Sequence, residues 1–419
     1  MKRCIAGSLV VLGLTTLAWA AEPLQECHAR GGLPNVFAKL AKGGEVRVAY
    51  LGGSITDAEG WRVLSRQWFA QQYPQAKVVE VRATICGTGA ELGACRLGHD
   101  VLQYKPDLLF VEFAVNGAGR NEQRVHQTME GIIRQTWRAN PATDVCFVYT
   151  VGTWMLADFH AGKLPILTSQ MERVAEHYKI PSLNFGVEVA RQVKAGTLIY
   201  QGKSAHQDGK VVFSGDGVHP FAETGHQLYL DTITRSVPAL KSAGQPGPHA
   251  LPEPLNAANW GRAALVPLEQ IQKSDGWQPA QTPSDAWGAA TEKKYLPSLW
   301  RADEPGASLT FKFRGTCFGV VGLRGPDAGQ FRVTVDDAAP VNGTLFDHYA
   351  QAKAWRIQPW FYPGDLKDGE HRVRLELLAT PPDKAGILKK HNKTMDKPEA
   401  FTENRLYFGG LLLAGEIVP

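Results

Sequence analysis

Residues 46–56 read Val46-Arg47-Val48-Ala49-Tyr50-Leu51-Gly52-Gly53-Ser54-Ile55-Thr56, a β-like run that ends in two glycines and a serine. A strand of this kind can present Ser54 on a tight turn at the edge of a sheet, where its hydroxyl is exposed instead of packed. Far downstream, residues 215–220 read Gly215-Asp216-Gly217-Val218-His219-Pro220. Asp216 and His219 are suited to act as orienting carboxylate and general base. Either segment alone also reads as an ordinary turn or loop; together they predict a serine hydrolase.

Two further segments lie between these. Ile85-Cys86-Gly87-Thr88-Gly89 follows a strand-like run at 78–81, and Phe110-Val111-Glu112-Phe113-Ala114-Val115-Asn116 is an apolar strand that ends in an asparagine. In this order the four segments resemble the blocks of the SGNH (GDSL-type) hydrolases, from about residue 47 to residue 240. The resemblance implies the catalytic residues Ser54, Asp216 and His219. It also implies an oxyanion hole built from Ser54, Gly87 and Asn116.

The chemistry explains these residue types. Attack by a serine oxygen turns an ester carbonyl into an oxyanion, which needs hydrogen-bond donors already in place. Glycine at 87 allows the backbone N–H to approach closely, and the Asn116 amide donates without adding charge. The order Ser, Asp, His differs from that of trypsin-like and subtilisin-like enzymes, and no Gly-x-Ser-x-Gly elbow surrounds Ser54.

The chain departs from the common family pattern at two positions. Gly53 stands where many members have Asp before the nucleophile, and Gly117 follows Asn116 where Asp is usual. The Gly-Gly-Ser-Ile-Thr variant resembles that of secreted bacterial carbohydrate acetylesterases. The departures therefore bear on the subfamily more than on the activity.

The pattern of the chain predicts two domains. Up to residue 240 short apolar strands alternate with amphipathic helices, and strands end near Ser54, Cys86, Asn116 and Gly152. This alternation is typical of a parallel sheet covered on both faces, with active groups at the carboxyl ends of its strands. Together with this alternation, the resemblance implies a flavodoxin-like three-layer α/β/α SGNH hydrolase domain over residues 21–240.

Residues 241–254 are rich in Pro, Gly and Ala and read as a linker. Beyond them the pattern turns to strands separated by turn residues, which predicts a β-sandwich of jelly-roll type over residues 255–419. Its aromatic residues at 355 and 360–362 are either a surface for stacking on sugar rings or core and interface residues.

The N-terminus reads as a signal peptide. Lys2 and Arg3 precede an apolar run that ends Ala18-Trp19-Ala20, so cleavage is expected after Ala20 and the mature protein in the periplasm or outside the cell. Because residues 1–20 hold no acid, losing Lys2 and Arg3 lowers the formal charge from +4 to +2. This balance gives no reason to expect a nucleic-acid or anionic-membrane partner, and no later stretch is long enough to span a bilayer.

Five cysteines remain after cleavage: Cys27, Cys86, Cys95, Cys146 and Cys317. Export permits disulfides, with Cys86 and Cys95 the nearest pair, but small buried thiols explain them equally well. No Cys/His spacing suits zinc, and the glycines at 87–93 do not match a dinucleotide loop, so we expect neither metal nor cofactor.

Three residues are weaker candidates for substrate binding. Trp61 follows the nucleophile closely, and Trp154 and His160 come after the fourth strand, where loops that shape a pocket would lie. Each also has an ordinary packing explanation.

These observations predict a secreted, metal-independent serine esterase whose substrate is an acetylated polysaccharide, such as a plant hemicellulose. A lipase, thioesterase or arylesterase, or a sugar O-acyltransferase, would use the same residues. A glycan-binding protein with a relic catalytic domain is the alternative outside enzymes. The sequence leaves the oligomeric state open.

Overall fold

The computed structural model describes residues 24–117, 121–296, 298–350 and 354–419. The predicted signal peptide, residues 1–20, lies outside the described residues. Up to residue 242 strands and helices alternate. The strands are β1 (Cys27–His28), β2 (Gly44–Gly52), β3 (Ala76–Thr84), β4 (Leu108–Glu112), β5 (Asp144–Tyr149), β6 (Ser182–Asn184), β7 (Leu198–Gln201), β8 (His206–Gln207) and β9 (Lys210–Ser214). The helices are α1 (Pro34–Lys42), α2 (Ser54–Asp57), α3 (Trp61–Gln72), α4 (Ala90–Asp100), α5 (Glu122–Ala139), α6 (Leu156–His160), α7 (Ile166–His177), α8 (Phe185–Lys194) and α9 (Gly225–Ser242).

A six-stranded sheet organises this part, in the order β1-β6-β5-β4-β2-β3. All neighbours from β6 to β3 are parallel, and β1 adds an antiparallel edge. The inner strands are continuous apolar runs because helices cover both faces; β4, for example, is buried along its whole length. The predicted α/β class is confirmed, whereas α1, α8, β1 and the small β7-β9-β8 sheet were not foreseen.

Local sequence explains the helices that flank the sheet. In α5 the Asn121 side chain accepts the Gln123 N–H at 2.8 Å and so caps the first turn. Val125, Met129 and Ile132 then follow at helical spacing and are buried.

Residues 243–262 contain no helix or strand, and the chain then turns to β structure. The strands are β10 (Ala263–Val266), β11 (Gln272–Lys273), β12 (Trp277–Pro279), β13 (Trp300–Ala302), β14 (Ser308–Arg324), β15 (Gln330–Val335), β16 (Val341–Thr344), β17 (Arg356–Phe361), β18 (Gly369–Leu377) and β19 (Leu406–Val418). One short α-helix, α10 (Lys384–Lys389), interrupts them within the described residues.

Every strand pair in this second part is antiparallel, which confirms the prediction of a C-terminal antiparallel β domain. β14, Ser308–Arg324, is a single long strand. Its pairing with β19 shifts register between Gly315 and Cys317, where an irregularity lets the ladder continue.

The two parts share a core. Val321, Ile357 and Leu412 of the β domain belong to the same buried cluster as the strands of the parallel sheet. The Tyr295 hydroxyl accepts the Thr84 N–H at 3.2 Å, and Lys294 donates to the Arg82 carbonyl at 3.1 Å. These contacts cover the open edge of β3, which would otherwise expose unpaired backbone groups.

The aromatic residues at 355 and 360–362 pack within the protein. Trp360 lies edge-on to Phe331, Phe361 meets Trp260, and the Trp355 indole donates to Asp327 at 2.7 Å. These contacts favour the core and interface explanation over a sugar-stacking surface.

The five cysteines in the described part of the chain are unpaired thiols, so Cys86 and Cys95 do not form the disulfide that their spacing left open. In the described part of the chain no helix is long and apolar enough to cross a membrane. No group of three or more His, Cys, Asp or Glu side chains in that part is arranged to hold a metal ion.

Candidate active site

Three neighbouring strands bring the predicted site residues together. β2 lies between β3 and β4 in the sheet, and Ser54 begins α2 two residues after β2 ends. Gly87 follows β3 and Asn116 follows β4. Since carboxyl ends of parallel strands meet at one edge, Gly87 and Asn116 flank Ser54 from either side.

Ser54, His219 and Asp216 form a continuous hydrogen-bonded chain. Ser54 Oγ lies 2.7 Å from His219 Nε2, and His219 Nδ1 lies 2.6 Å from Asp216 Oδ2. A carboxylate at Nδ1 holds the proton there and leaves Nε2 free to accept from the serine hydroxyl. The sequence prediction that these three residues act together therefore agrees with their geometry.

The loop that carries Asp216 and His219 is held by its neighbours. The Ser214 hydroxyl, at the end of β9, donates to the His219 carbonyl at 2.7 Å and accepts the Gly217 N–H at 3.0 Å. Thr153 donates its backbone N–H and its hydroxyl to the Gly217 carbonyl, at 2.9 and 2.8 Å. The imidazole is thus fixed relative to the sheet although its own side chain is half exposed.

Hydrogen bonds keep Asp216 ionised. Partial burial alone would raise the pKa of this carboxyl, but the His219 ring and the backbone N–H groups of His219 and Val218 outweigh it and lower the pKa to about 2. Both backbone contacts measure 2.8 Å to Asp216 Oδ1. The carboxylate is therefore charged throughout the range in which a histidine acts as a base.

Two further groups have the properties that an oxyanion hole needs. Gly87 has φ +70, a conformation that glycine adopts without strain, and no group among the described residues accepts its N–H. The Asn116 side chain lies against Gly53, and a Cβ atom at position 53 would overlap its Oδ1 atom. A Cβ atom at position 53 would therefore require the Asn116 amide to shift from this position. At Gly117 a Cβ would come within 2.7 Å of Leu167 Cδ1.

Glu112 is a buried residue next to the site that the sequence pattern did not single out. It is fully buried at the end of β4 and accepts hydrogen bonds from the Thr56 and Thr150 hydroxyls at 2.8 and 2.6 Å. Burial raises the pKa of its carboxyl, while these bonds and one from the Gly53 backbone oppose the rise. Glu112 thus joins the nucleophile turn to the end of β5. Its signal was a lone carboxylate in an otherwise apolar strand.

Asp57 was also missed, although it stands only three residues after Ser54. It accepts from Arg82 Nε and Nη2 at 3.0 and 2.7 Å, and also from Thr84 and Cys86. These bonds tie α2 to the loop that carries Gly87.

The three weaker substrate candidates have different outcomes. Trp61 is 0% exposed and lies edge-on to Tyr50, Phe110 and Phe185, so the prediction that it lines the pocket is wrong. Burial of the large apolar area of the indole favours this position in the core.

The His160 ring lies 3.1 Å from the Ala190 carbonyl on α8 and has no contact with Ser54, Asp216 or His219 in the described residues.

Trp154 is the candidate that stays open to solvent. It is 53% exposed and lies over Gly152, where a Cβ would overlap its ring. Its neighbour Thr153 binds the loop of Asp216 and His219. An exposed indole therefore stands beside the site.

His226 is a buried neighbour of His219. Its Nδ1 atom accepts the Trp61 N–H at 3.1 Å, and burial, reinforced by the nearby His219, lowers its pKa to about 4. It is neutral at pH 7.

Comparison with known proteins agrees with this geometry. Residues 50–228 match the sequence profile of the GDSL-like Lipase/Acylhydrolase family. A search of curated proteins gave no match. The fold is similar to the crystal structure of CEX, a two-domain esterase active on acetylated mannans and co-crystallised with mannopentaose. That similarity has a TM-score of 0.68 at 19% identity and covers 93% of this chain and 97% of CEX.

A second similar structure is Axe2, an acetyl-xylooligosaccharide esterase from Geobacillus Stearmophilus, with 15% identity over 47% of this chain and 96% of Axe2, at a TM-score of 0.38. The likeness to CEX extends over both domains, whereas the profile match falls within the first. Residues 50–228 therefore match a GDSL-like lipase/acylhydrolase domain, and this match supports a carboxylic-ester hydrolase.

Proposed function

We propose that this protein is a secreted serine esterase that removes O-acetyl groups from a polysaccharide of the hemicellulose class. The observation that carries the proposal is the hydrogen-bonded chain from Ser54 Oγ through His219 to Asp216, with distances of 2.7 and 2.6 Å. An ionised Asp216 and a free Nε2 atom are what a serine nucleophile needs for activation.

The reaction has two halves. In the first, Ser54 Oγ attacks the acetyl carbonyl carbon and its proton passes to His219 Nε2. The oxyanion accepts hydrogen bonds from the Ser54 and Gly87 N–H groups and the Asn116 amide. The sugar oxygen then departs with the proton from His219, which leaves an acetyl-Ser54 ester. In the second half, water loses a proton to His219 and attacks this ester, and acetate leaves as Ser54 regains its proton.

Two observations favour a polysaccharide over a long acyl chain. The side chains of His219 and Asp216 are 49% and 57% exposed, so a bulky hydrated polymer can reach them. The exposed Trp154 beside the site offers a flat apolar face of the kind that packs against sugar rings. CEX, which shares both domains of this fold, acts on acetylated mannans.

The test is acetate release from acetylated mannan, acetylated xylan and acetylated pectin, with p-nitrophenyl esters of increasing chain length alongside. Ser54→Ala is the inactive variant. Ser169→Ala, which removes an exposed hydroxyl bonded only within α7, is the matched control. We expect the parent and Ser169→Ala to release acetate equally, and Ser54→Ala to lose about 10³-fold or more.

If the rate of p-nitrophenyl ester hydrolysis rises with acyl chain length, the substrate is a lipid or thioester and not an acetylated carbohydrate. Silence of the parent on every ester would contradict the esterase itself. N-terminal sequencing of the exported protein tests the expected cleavage after Ala20.

A further inference from the structure

The C-terminal domain places one side chain against the loop of Gly87. Gln358, on β17, is almost fully buried, and its Nε2 atom donates to the Cys86 carbonyl at 3.0 Å. The same nitrogen would lie 3.3 Å from a Cβ built on Gly87. A residue 272 positions from Cys86 in the chain therefore packs directly on Gly87, which flanks the nucleophile.

This contact bears on the direction of the Gly87 N–H. The Cys86 carbonyl and the Gly87 N–H belong to one planar trans peptide unit, in which they point in opposite directions. A donor that fixes the carbonyl on one side therefore fixes the N–H on the other. A hydrogen bond to the carbonyl also polarises the peptide and strengthens its N–H as a donor.

Few other bonds within the described residues restrain this peptide. The Thr88 hydroxyl donates to the Ile85 carbonyl at 2.8 Å, and the Cys86 thiol donates to Asp57 at 3.4 Å. Neither binds the Cys86 carbonyl or the Gly87 N–H. At φ +70, glycine also has more backbone freedom than any other residue, so the peptide needs an external anchor to keep one orientation.

Other residues of the C-terminal part hold the strand that leads into this loop. Arg82 of β3 pairs with Glu292 at 3.2 Å, and Tyr295 binds the backbone at Arg82 and Thr84. The end of β3 and the loop after it are thus supported from the C-terminal domain as well as from Asp57.

We propose that Gln358 is a positioning residue that aims the Gly87 N–H at the oxyanion, so that the C-terminal domain completes the active site. The inference rests on the proposed esterase function. Gln358 acts through the Cys86–Gly87 peptide and is not itself a donor to the oxyanion.

Two variants of different chemistry test this role. Gln358→Met keeps the length of the side chain but cannot donate, and Gln358→Glu keeps its shape but sets a carboxylate against a carbonyl oxygen. Gln330→Leu is the matched control, because Gln330 also donates its amide to a backbone carbonyl, Thr380 O at 2.9 Å, but this hydrogen bond is exposed to solvent in the β domain.

We expect kcat on p-nitrophenyl acetate to fall about tenfold to a hundredfold in Gln358→Met, less than the full loss of an oxyanion donor. We expect a larger fall in Gln358→Glu and none in Gln330→Leu. KM should stay within about twofold of the parent, because the interaction is made to the transition state. The rate of inactivation by a fluorophosphonate, which forms a tetrahedral adduct on Ser54, should fall in the same order.

Thermal unfolding of each variant separates positioning from folding. A Gln358→Met protein that melts like the parent and keeps its kcat within twofold would overturn the inference while the esterase function stands. A fall in kcat matched by an equal rise in KM, or one that tracks the melting temperature across all three variants, would also overturn it. A parent with no Ser54-dependent turnover would overturn the proposed function, and this inference with it.

Discussion

The side-chain oxygen of Asn116 occupies the space that a Cβ atom on residue 53 would need. The amide of the predicted oxyanion hole therefore packs directly on the backbone that presents Ser54. Glycine at 53 leaves space for the Asn116 side chain in the position that it occupies in this structure.

Gly53→Ala should lower kcat on acetyl esters by at least about tenfold, since misplacing a site group by about 1 Å has effects of this size or larger. Gly98→Ala is the control, because a Cβ there meets nothing within 4 Å and alanine favours a helix by about 1 kcal/mol. Steady-state kinetics and thermal unfolding measure both. Full activity in Gly53→Ala would contradict the packing of Asn116 on the nucleophile turn.

Asp216→Asn should reduce kcat by about 10⁴-fold with little change in fold, because an amide no longer holds the histidine in the required tautomer.

The Asp216 pKa of about 2 lies below the ordinary value of 3.8, so its ionisation stabilises the fold above pH 3.8, and this contribution is lost as pH falls towards 2. The acid limb of kcat/KM should therefore have unit slope down to about pH 3, with no second ionisation from Asp216. A slope of two in that range would place the pKa of Asp216 higher.

Glu112→Gln should lower kcat while KM stays nearly unchanged, because its donors hold the nucleophile turn and the end of β5. An amide offers one acceptor atom where the carboxylate offers two, so at least one buried donor loses its partner, at about 1–3 kcal/mol of stability. Thr150→Val, which removes one of those donors, is the companion variant. If both variants lose stability to the same extent but only Glu112→Gln loses turnover, the carboxylate affects the reaction beyond its packing.

His226→Gln should flatten the dependence of stability on acid pH. The folded pKa of about 4 lies below the ordinary 6.5, so unfolded chains take up a proton first and stability falls as pH drops from 6.5 to 4. The difference amounts to roughly 3 kcal/mol over that range. Melting temperatures of parent and variant at several pH values measure it, and parallel curves would show that His226 is not the group responsible.

Trp154→Ala should raise KM for acetylated polysaccharide about twofold to tenfold, the range expected for one aromatic contact, and leave p-nitrophenyl acetate unaffected. Tyr104→Ala removes another exposed aromatic ring that precedes β4 and therefore lies at the opposite edge of the sheet. Equal KM values of Trp154→Ala and Tyr104→Ala for the polysaccharide would show that Trp154 does not contact the substrate.

The sequence predicts those parts of the site that depend on the spacing of residues close together in the chain. The glycines before Ser54, the short interval from Asp216 to His219 and the alternation of strands and helices are all visible within a few residues. They predicted the parallel sheet and placed Ser54, Gly87 and Asn116 at one edge of it, because the carboxyl ends of adjacent parallel strands must meet. The same reasoning gave Trp61 as a weaker pocket candidate, with packing as the alternative. It could not decide between them, because nearness in sequence to Ser54 does not determine which side of a helix faces the core.

By itself, then, the sequence determined the α/β class, the antiparallel β class of the second part, and the order of Ser54, Asp216 and His219. Only the tertiary structure decided that Glu112 is buried and binds the Thr56 hydroxyl, that the Asn116 side chain packs against Gly53, and that Gln358 contacts the loop of Gly87. The physical reason is that periodicity and turn chemistry act over a few residues of chain. The burial of Glu112 and the hydrogen bond from the Gln358 amide to the Cys86 carbonyl depend on packing between segments that lie up to 272 residues apart in the chain.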